Sequence, residues 1–168
     1  MLIDRIGLLK PAKVQSGKKP YMIVLHDTAG PSIKSAENTF LKERPGLGYH
    51  YMIDKDGTIY QYALPTTQMN HAIGFNAGTI GISFVGGWKY GPVNEVQIHS
   101  CVDLCQQLQQ EYGDTLKYIT GHKHCSPKRK IDPRFPGEPM NGINYKIDGD
   151  YMEDIAEGSF LTFERVPF

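Results

Sequence analysis

The segment GHKHCSPKRKIDP, residues 121–133, gathers two histidines, a cysteine, an aspartate and four cations into thirteen positions of a chain with six histidines in all. Imidazole nitrogen, thiolate sulfur and carboxylate oxygen are the donors that hold zinc. A catalytic zinc site takes three of them and leaves a fourth position for water. His122 is one candidate ligand, and His26, which closes the apolar run of PYMIVLHD, is another. His124, Cys125 and Asp132 all lie near enough in sequence to supply the third, and spacing does not choose among them. Two plainer readings compete. A histidine at a strand end is often a hydrogen-bonded structural residue, and KHCSPKRK alone reads as a solvated basic loop. With Lys123, Lys128, Arg129 and Lys130 it also reads as a nucleic-acid patch, which would bind in a salt-sensitive way.

These residues need elements that carry them to one place. MIVLHD is a short apolar run closed by the polar turn DTAGPS, the pattern of a buried strand ending at His26. Residues 32–43 place Ile33, Ala36 and Phe40 on one helical face, with Ser32 as the cap. GYHYMIDKDGTIYQY has aromatic and β-branched residues on both sides of Lys55-Asp56-Gly57, which predicts a hairpin. GTIGISFVGG predicts another strand. Residues 94–112 hold the longest helical pattern, with Cys101, Cys105, Leu108 and Tyr112 on one face and Gly113 as the stop. LKYIT is then a strand that delivers Gly121 and His122 at its end. Strands alternating with helices over 168 residues indicate one α/β domain with a core of its own.

Composition removes several function classes. Eighteen Lys and Arg balance eighteen Asp and Glu, so no overall basic field draws the chain to nucleic acid or anionic lipid. Three cysteines, two of them four apart in a helical pattern, do not make a disulfide framework, so reduced thiols are expected. The first residues lack the apolar centre and cleavage site of a signal peptide, and no run reaches membrane-spanning length. Synthesis in the cytoplasm, without membrane insertion, is the expectation.

Four segments in order, IVLHDTAG, GYHYMIDKDGTIYQY, NHAIGFNAGTIGISFVGG and GHKHCSPKRKIDP, resemble the zinc-dependent N-acetylmuramoyl-L-alanine amidases of the type 2 amidase and peptidoglycan-recognition-protein superfamily. The resemblance runs from about Pro20 to Pro133. It implies a central mixed β-sheet flanked by helices. Residues 20–137 would be the catalytic domain, 1–19 an N-terminal extension, and 138–168 a tail packed on or extending the same domain. It also implies Zn²⁺ held by His26, His122 and Asp132, Lys130 facing the metal as an oxyanion donor, and Tyr49 handling protons. His71, His50, Asn70 and Asn76 would line the substrate groove. The reaction implied is hydrolysis of the amide between N-acetylmuramic acid and L-alanine, with peptidoglycan or muropeptides as partners.

One departure stands out. Some intracellular relatives carry glutamate on the strand that corresponds to GISFVGG, where this chain has Ser83 and Val85, so more of the proton handling would fall to Tyr49. A recognition module of the same fold that binds without cutting is the alternative, although such relatives usually lack a metal ligand. The setting stays open between a phage endolysin, an effector delivered into a rival cell and paired with an immunity protein, and a wall-recycling enzyme. In the first two, action in the periplasm or wall would follow lysis or delivery.

Overall fold

MIVLHD lies at the middle of a sheet, where every residue of the strand is buried, because both of its faces are covered. The computed structural model describes residues 1–14, 19–43, 45–126, 129–135 and 148–164. In chain order its elements are β1 (Leu2–Asp4), β2 (Lys13–Val14), β3 (Met22–Asp27), α1 (Ile33–Lys42), β4 (Tyr51–Ile53), β5 (Ile59–Gln61), β6 (Thr67–Gln68), β7 (Thr79–Phe84), α2 (Glu95–Tyr112), β8 (Tyr118–Gly121), the single turn α3 (His122–Cys125), α4 (Asp148–Gly158) and β9 (Thr162–Phe163). Seven strands make one mixed sheet in the order β1-β5-β4-β7-β3-β8-β9, while β2 and β6 form a separate antiparallel ribbon. The fold is a single α/β domain with a central mixed sheet flanked by helices.

Alternation along the strands divides the structure into layers. Ile23 and Leu25 of β3, Ile80 and Ile82 of β7 and Ile119 of β8 face one side, where they pack with Leu104, Cys105 and Leu108 of α2 and Met152 and Ile155 of α4. Met22 and Val24 face the other side, against Ala72 and Cys125. A third cluster joins Ile33 and Ala36 of α1 to Met52 and Tyr62. Cys101 and Cys105 are free thiols on the buried face of α2, their sulfurs 3.9 Å apart. Among the described residues no helix is long and apolar enough to cross a membrane.

Both ends of the sheet are closed by segments from near the ends of the chain. Leu2–Asp4, within the stretch expected to be an extension, pairs in parallel with β5 as an edge strand. At the other edge β9 pairs with β8, and α4 adds Met152, Ile155 and Ala156 to the main core.

Local rules explain the helices that frame the site. Ser32 caps α1 by accepting the Ser35 amide proton, and Asn94 caps α2 in a reciprocal box with Gln97. Gln97 does more than cap. It is fully buried, and its Nε2 donates to the carbonyls of Ile53 and Val85 at 3.0 Å each, fixing α2 to the ends of two strands. Gln97→Leu removes the donor and strands both carbonyls. The expected loss is about 2–3 kcal/mol of unfolding free energy, read as a lower urea midpoint at unchanged m-value.

Candidate metal centre

Parallel register brings two distant histidines abreast. β3 and β8 are hydrogen-bonded neighbours with Leu25 opposite Gly121, so the next residue of each chain, His26 and His122, emerges at the carboxyl end of the sheet. That is the end at which parallel sheets present loops and ligands. The two Nδ1 atoms lie 3.0 Å apart although 96 residues separate them in sequence.

Asp132 is returned to this point by bonds on both sides of it. The Lys123 amide donates to the Asp132 carbonyl at 2.8 Å, and the buried Lys123 ammonium donates to the Pro133 carbonyl at 2.6 Å. On the other side Arg134 grips Asp27, the residue after His26. Its guanidinium Nη1 lies 2.8 and 2.7 Å from the two carboxylate oxygens, and its amide donates to Oδ2 at 3.1 Å. So held, Asp132 Oδ2 sits 3.2 Å from His26 Nδ1 and 3.1 Å from His122 Nδ1.

Among the described residues these three form a group able to hold a metal ion. Tetrahedral zinc with bonds near 2.0–2.1 Å requires ligand atoms about 3.3 Å apart, and the observed edges of 3.0, 3.1 and 3.2 Å are close to that. The donor chemistry fits as well. Burial, opposed by the bond to Asp132, pushes His26 down to about 4, which leaves its ring neutral. Burial acts to raise the Asp132 carboxyl, but the His122 and His26 rings beside it outweigh burial and hold the group well below the usual range, ionised.

The structure also separates the candidates for third ligand. Because His122 begins a helical turn, His124 is rotated roughly 200° from it and stacks edge-on to Phe163, ring centroids 5.1 Å apart. The Cys125 thiol points to the Gly121 and His122 carbonyls at 3.5 Å. Asp132 remains. Lys123 is buried, which removes it from any basic surface patch, and Lys128 lies outside the described residues.

Around the triangle is a second layer. His26 Nε2 lies 3.1 Å from His71 Nδ1, and His71 Nε2 lies 3.1 Å from Thr79 Oγ1. The Thr79 hydroxyl donates in turn to the Phe75 carbonyl. His50 is fully buried beneath the groove and does not line it. Its Nδ1 accepts the Gly81 amide proton at 2.9 Å and its Nε2 donates to the Thr67 carbonyl at 3.1 Å. Asn76 Oδ1 accepts from the His71 and Ala72 amides, and its Nδ2 donates to Asn70, which clamps the loop that carries His71.

A cleft of about 280 Å³ opens over the triangle, with Tyr49, Asn70, His71 and Lys130 in its walls. It continues past His71, Asn76 and Arg129 into a second hollow of about 450 Å³. The Tyr49 ring packs against His26 with centroids 4.8 Å apart. Burial, then the Asp132 and Asp27 carboxylates, push the Tyr49 phenol far up, so it stays protonated. Ser83 is opposite His26 in the sheet register, buried on the same face.

The sequence reading missed Asp27, Arg134 and Thr79. A signal existed for the first two: an aspartate closing an apolar strand needs a counter-charge, and DPRF offers one beside a candidate ligand. Burial and the nearby Asp132 push Asp27 up to about 6, while the Arg134 guanidinium opposes them.

Two outcomes follow from this geometry. Arg134→Met leaves the Asp27 carboxylate buried without its partner and should lower stability by about 3–5 kcal/mol, with Asp27→Asn in the same chain recovering part of the loss. The measurement is a double-mutant cycle in denaturant. Burial, opposed by the hydrogen bond to the Thr67 carbonyl, pushes His50 down to about 4 from an ordinary 6.5. Between those values the unfolded chain binds a proton that the folded chain refuses, so stability contributed at neutral pH is lost as pH falls through this window. The slope of stability against pH from 6.5 to 4 should be shallower in His50→Gln.

Comparison with known proteins places the chain in a family. The chain is 29% identical to human peptidoglycan recognition protein 3 over 136 residues, which is 73% of this chain and 38% of that protein; it therefore spans well under half of that relative. Among solved structures it resembles the endolysin N-acetylmuramoyl-L-alanine amidase LysCS from Clostridium intestinale URNW, at TM-score 0.65 and 26% identity over 88% of this chain and 95% of the other. At 22% identity and TM-score 0.65, covering 89% and 95% of the two chains, it shares its fold with the peptidoglycan recognition proteins LCa and LCx, solved bound to tracheal cytotoxin. Residues 16–135 match the pattern of the N-acetylmuramoyl-L-alanine amidase family (Amidase_2), and the chain belongs to that family.

Proposed function

We propose that this protein hydrolyses the amide bond between N-acetylmuramic acid and L-alanine in peptidoglycan, using zinc held by His26, His122 and Asp132. One observation carries the reading: three donor atoms of the right chemistry stand 3.0–3.2 Å from one another at the floor of an open cleft. A module that only recognises its ligand has no need of such a triangle. When bound there, zinc supplies a Lewis acid and a water whose pKa is brought towards neutrality.

The remaining work belongs to the chain's own side chains. Lys130 stands in the cleft wall with Asp132, where its ammonium stabilises the negative charge that develops on the carbonyl oxygen. Tyr49, protonated throughout the neutral range, acts as a hydrogen-bond donor that orients water or passes a proton towards the leaving amine. With Ser83 on the strand beside His26, that face offers no carboxylate from β7 to share the task. His71 and Asn70 border both parts of the cleft and Asn76 borders the second, positions from which they can contact the sugar acid or the stem peptide. The proposed place of action is the periplasm or wall.

Purified sacculi and soluble muropeptides, digested and analysed by mass spectrometry, should yield glycan freed from peptide and new L-alanine amino ends. Sugar–sugar or peptide–peptide cleavage would overturn the reaction assigned. Saturable binding with no product would favour a recognition module, and preference for soluble muropeptides would favour wall recycling over lysis. Lys130→Ala should retain bound zinc yet lose on the order of 10²-fold or more in turnover. Treatment with a chelator should abolish cleavage, and added zinc should restore it.

A further inference from the structure

Resting on that reading of the metal centre, we propose that His71 and Thr79 are positioning residues for the metal: they form a one-way hydrogen-bond relay that fixes His26 in the tautomer able to ligate. Neutral imidazole carries one proton, on either nitrogen, and the other nitrogen offers the lone pair. For His26 Nδ1 to bind zinc, the proton must be on Nε2 and must have an acceptor. His71 Nδ1, 3.1 Å away, is that acceptor. It can accept only if the His71 proton is on Nε2, which needs an acceptor in turn, and Thr79 Oγ1 lies 3.1 Å from it.

A relay of this kind could run either way. With the opposite polarity Thr79 would donate to His71, His71 to His26, and the His26 proton would sit on Nδ1, which blocks the metal. The far end decides. Thr79 has one hydroxyl proton, and it is directed to the Phe75 carbonyl, a group that can only accept. With its proton committed there, the hydroxyl can meet His71 Nε2 only as an acceptor. The backbone carbonyl of a loop thus sets the protonation of a ligand three groups away.

The surroundings hold the relay in place. Gly81 lies under the His71 ring, and a Cβ there would come within 2.8–3.0 Å of three ring atoms. The ring is edge-on to His26, with centroids 5.2 Å apart and planes at 88°. Asn76 binds the His71 and Ala72 amides, so the backbone that carries His71 is fixed as well. Outer partners of this kind are typically worth about 10–100-fold in metal affinity.

The test measures affinity for zinc alone, by competition with a chromophoric chelator. Thr79→Val keeps the shape of the side chain and deletes its hydroxyl, well away from the metal; it should weaken zinc binding about tenfold or more, and Thr79→Ser should restore it. His71→Leu should weaken binding comparably, whereas His71→Asn, which can place an oxygen acceptor near the Nδ1 position, should recover most of the affinity. Melting curves in chelator show whether each variant is folded. In zinc-loaded wild type the His26 Nε2–H should give a slowly exchanging imidazole proton resonance that is lost in His71→Leu. If Thr79→Val and His71→Leu bind zinc within twofold of wild type, or if the loaded wild type shows no such resonance, the relay is wrong. If the wild type takes up no zinc at all, the metal-centre reading itself fails, and the relay with it.

Discussion

Three polar atoms crowded to within 3.2 Å of one another form an arrangement that a protein interior resists. Each gives up water, and two of them are ring nitrogens that repel if both carry protons. The rest of the site can be read as the means of holding that triangle closed. Strand register supplies two corners, because β3 and β8 run parallel with Leu25 opposite Gly121, the residues just before His26 and His122. The third corner comes from a loop, and loops need restraint. Lys123 provides it from one side, through its amide and its ammonium. The Asp27–Arg134 pair provides it from the other.

Charge around the triangle is arranged to suit it. His26 and His50 are held neutral by burial, and His26, His50, His71 and His122 run in a chain of ring contacts through this face of the sheet. Neutral rings are what a cation needs, since a protonated imidazole has no lone pair to give. Negative charge is limited to Asp132, with Asp27 offset by Arg134. A phenol beside these carboxylates holds its proton, so Tyr49 is able to donate a hydrogen bond. The site therefore combines a carboxylate-and-imidazole floor with donor groups, Tyr49 and Lys130, in its walls.

The scaffold extends beyond the region that matches the family. Residues 16–135 contain the site and the central strands, while β1 at one edge of the sheet and α4 with β9 at the other lie outside that span. These additions pack away from the cleft. They extend the sheet edges and add Met152 and Ile155 to the core beneath β3 and β8, the two strands whose common register brings His26 and His122 together.

Much of this was written in local sequence. MIVLHD, the hairpin of β4 and β5, the Ser32 and Asn94 caps and the long helix α2 follow from hydrophobic period, turn residues and capping chemistry, all properties of neighbouring residues. Donor types identified His26 and His122 as candidate ligands for the same reason. The choice of Asp132 over His124 and Cys125 rested on resemblance until the fold showed a helical turn at His122 that points those two elsewhere. The direction of the relay behind His26 and the pairing of Asp27 with Arg134 were decided by tertiary structure alone. The relay reaches His26 from His71 across 45 residues of chain and Asp27 meets Arg134 across 107, and a hydrogen bond or ion pair at that separation leaves no periodic trace in the sequence.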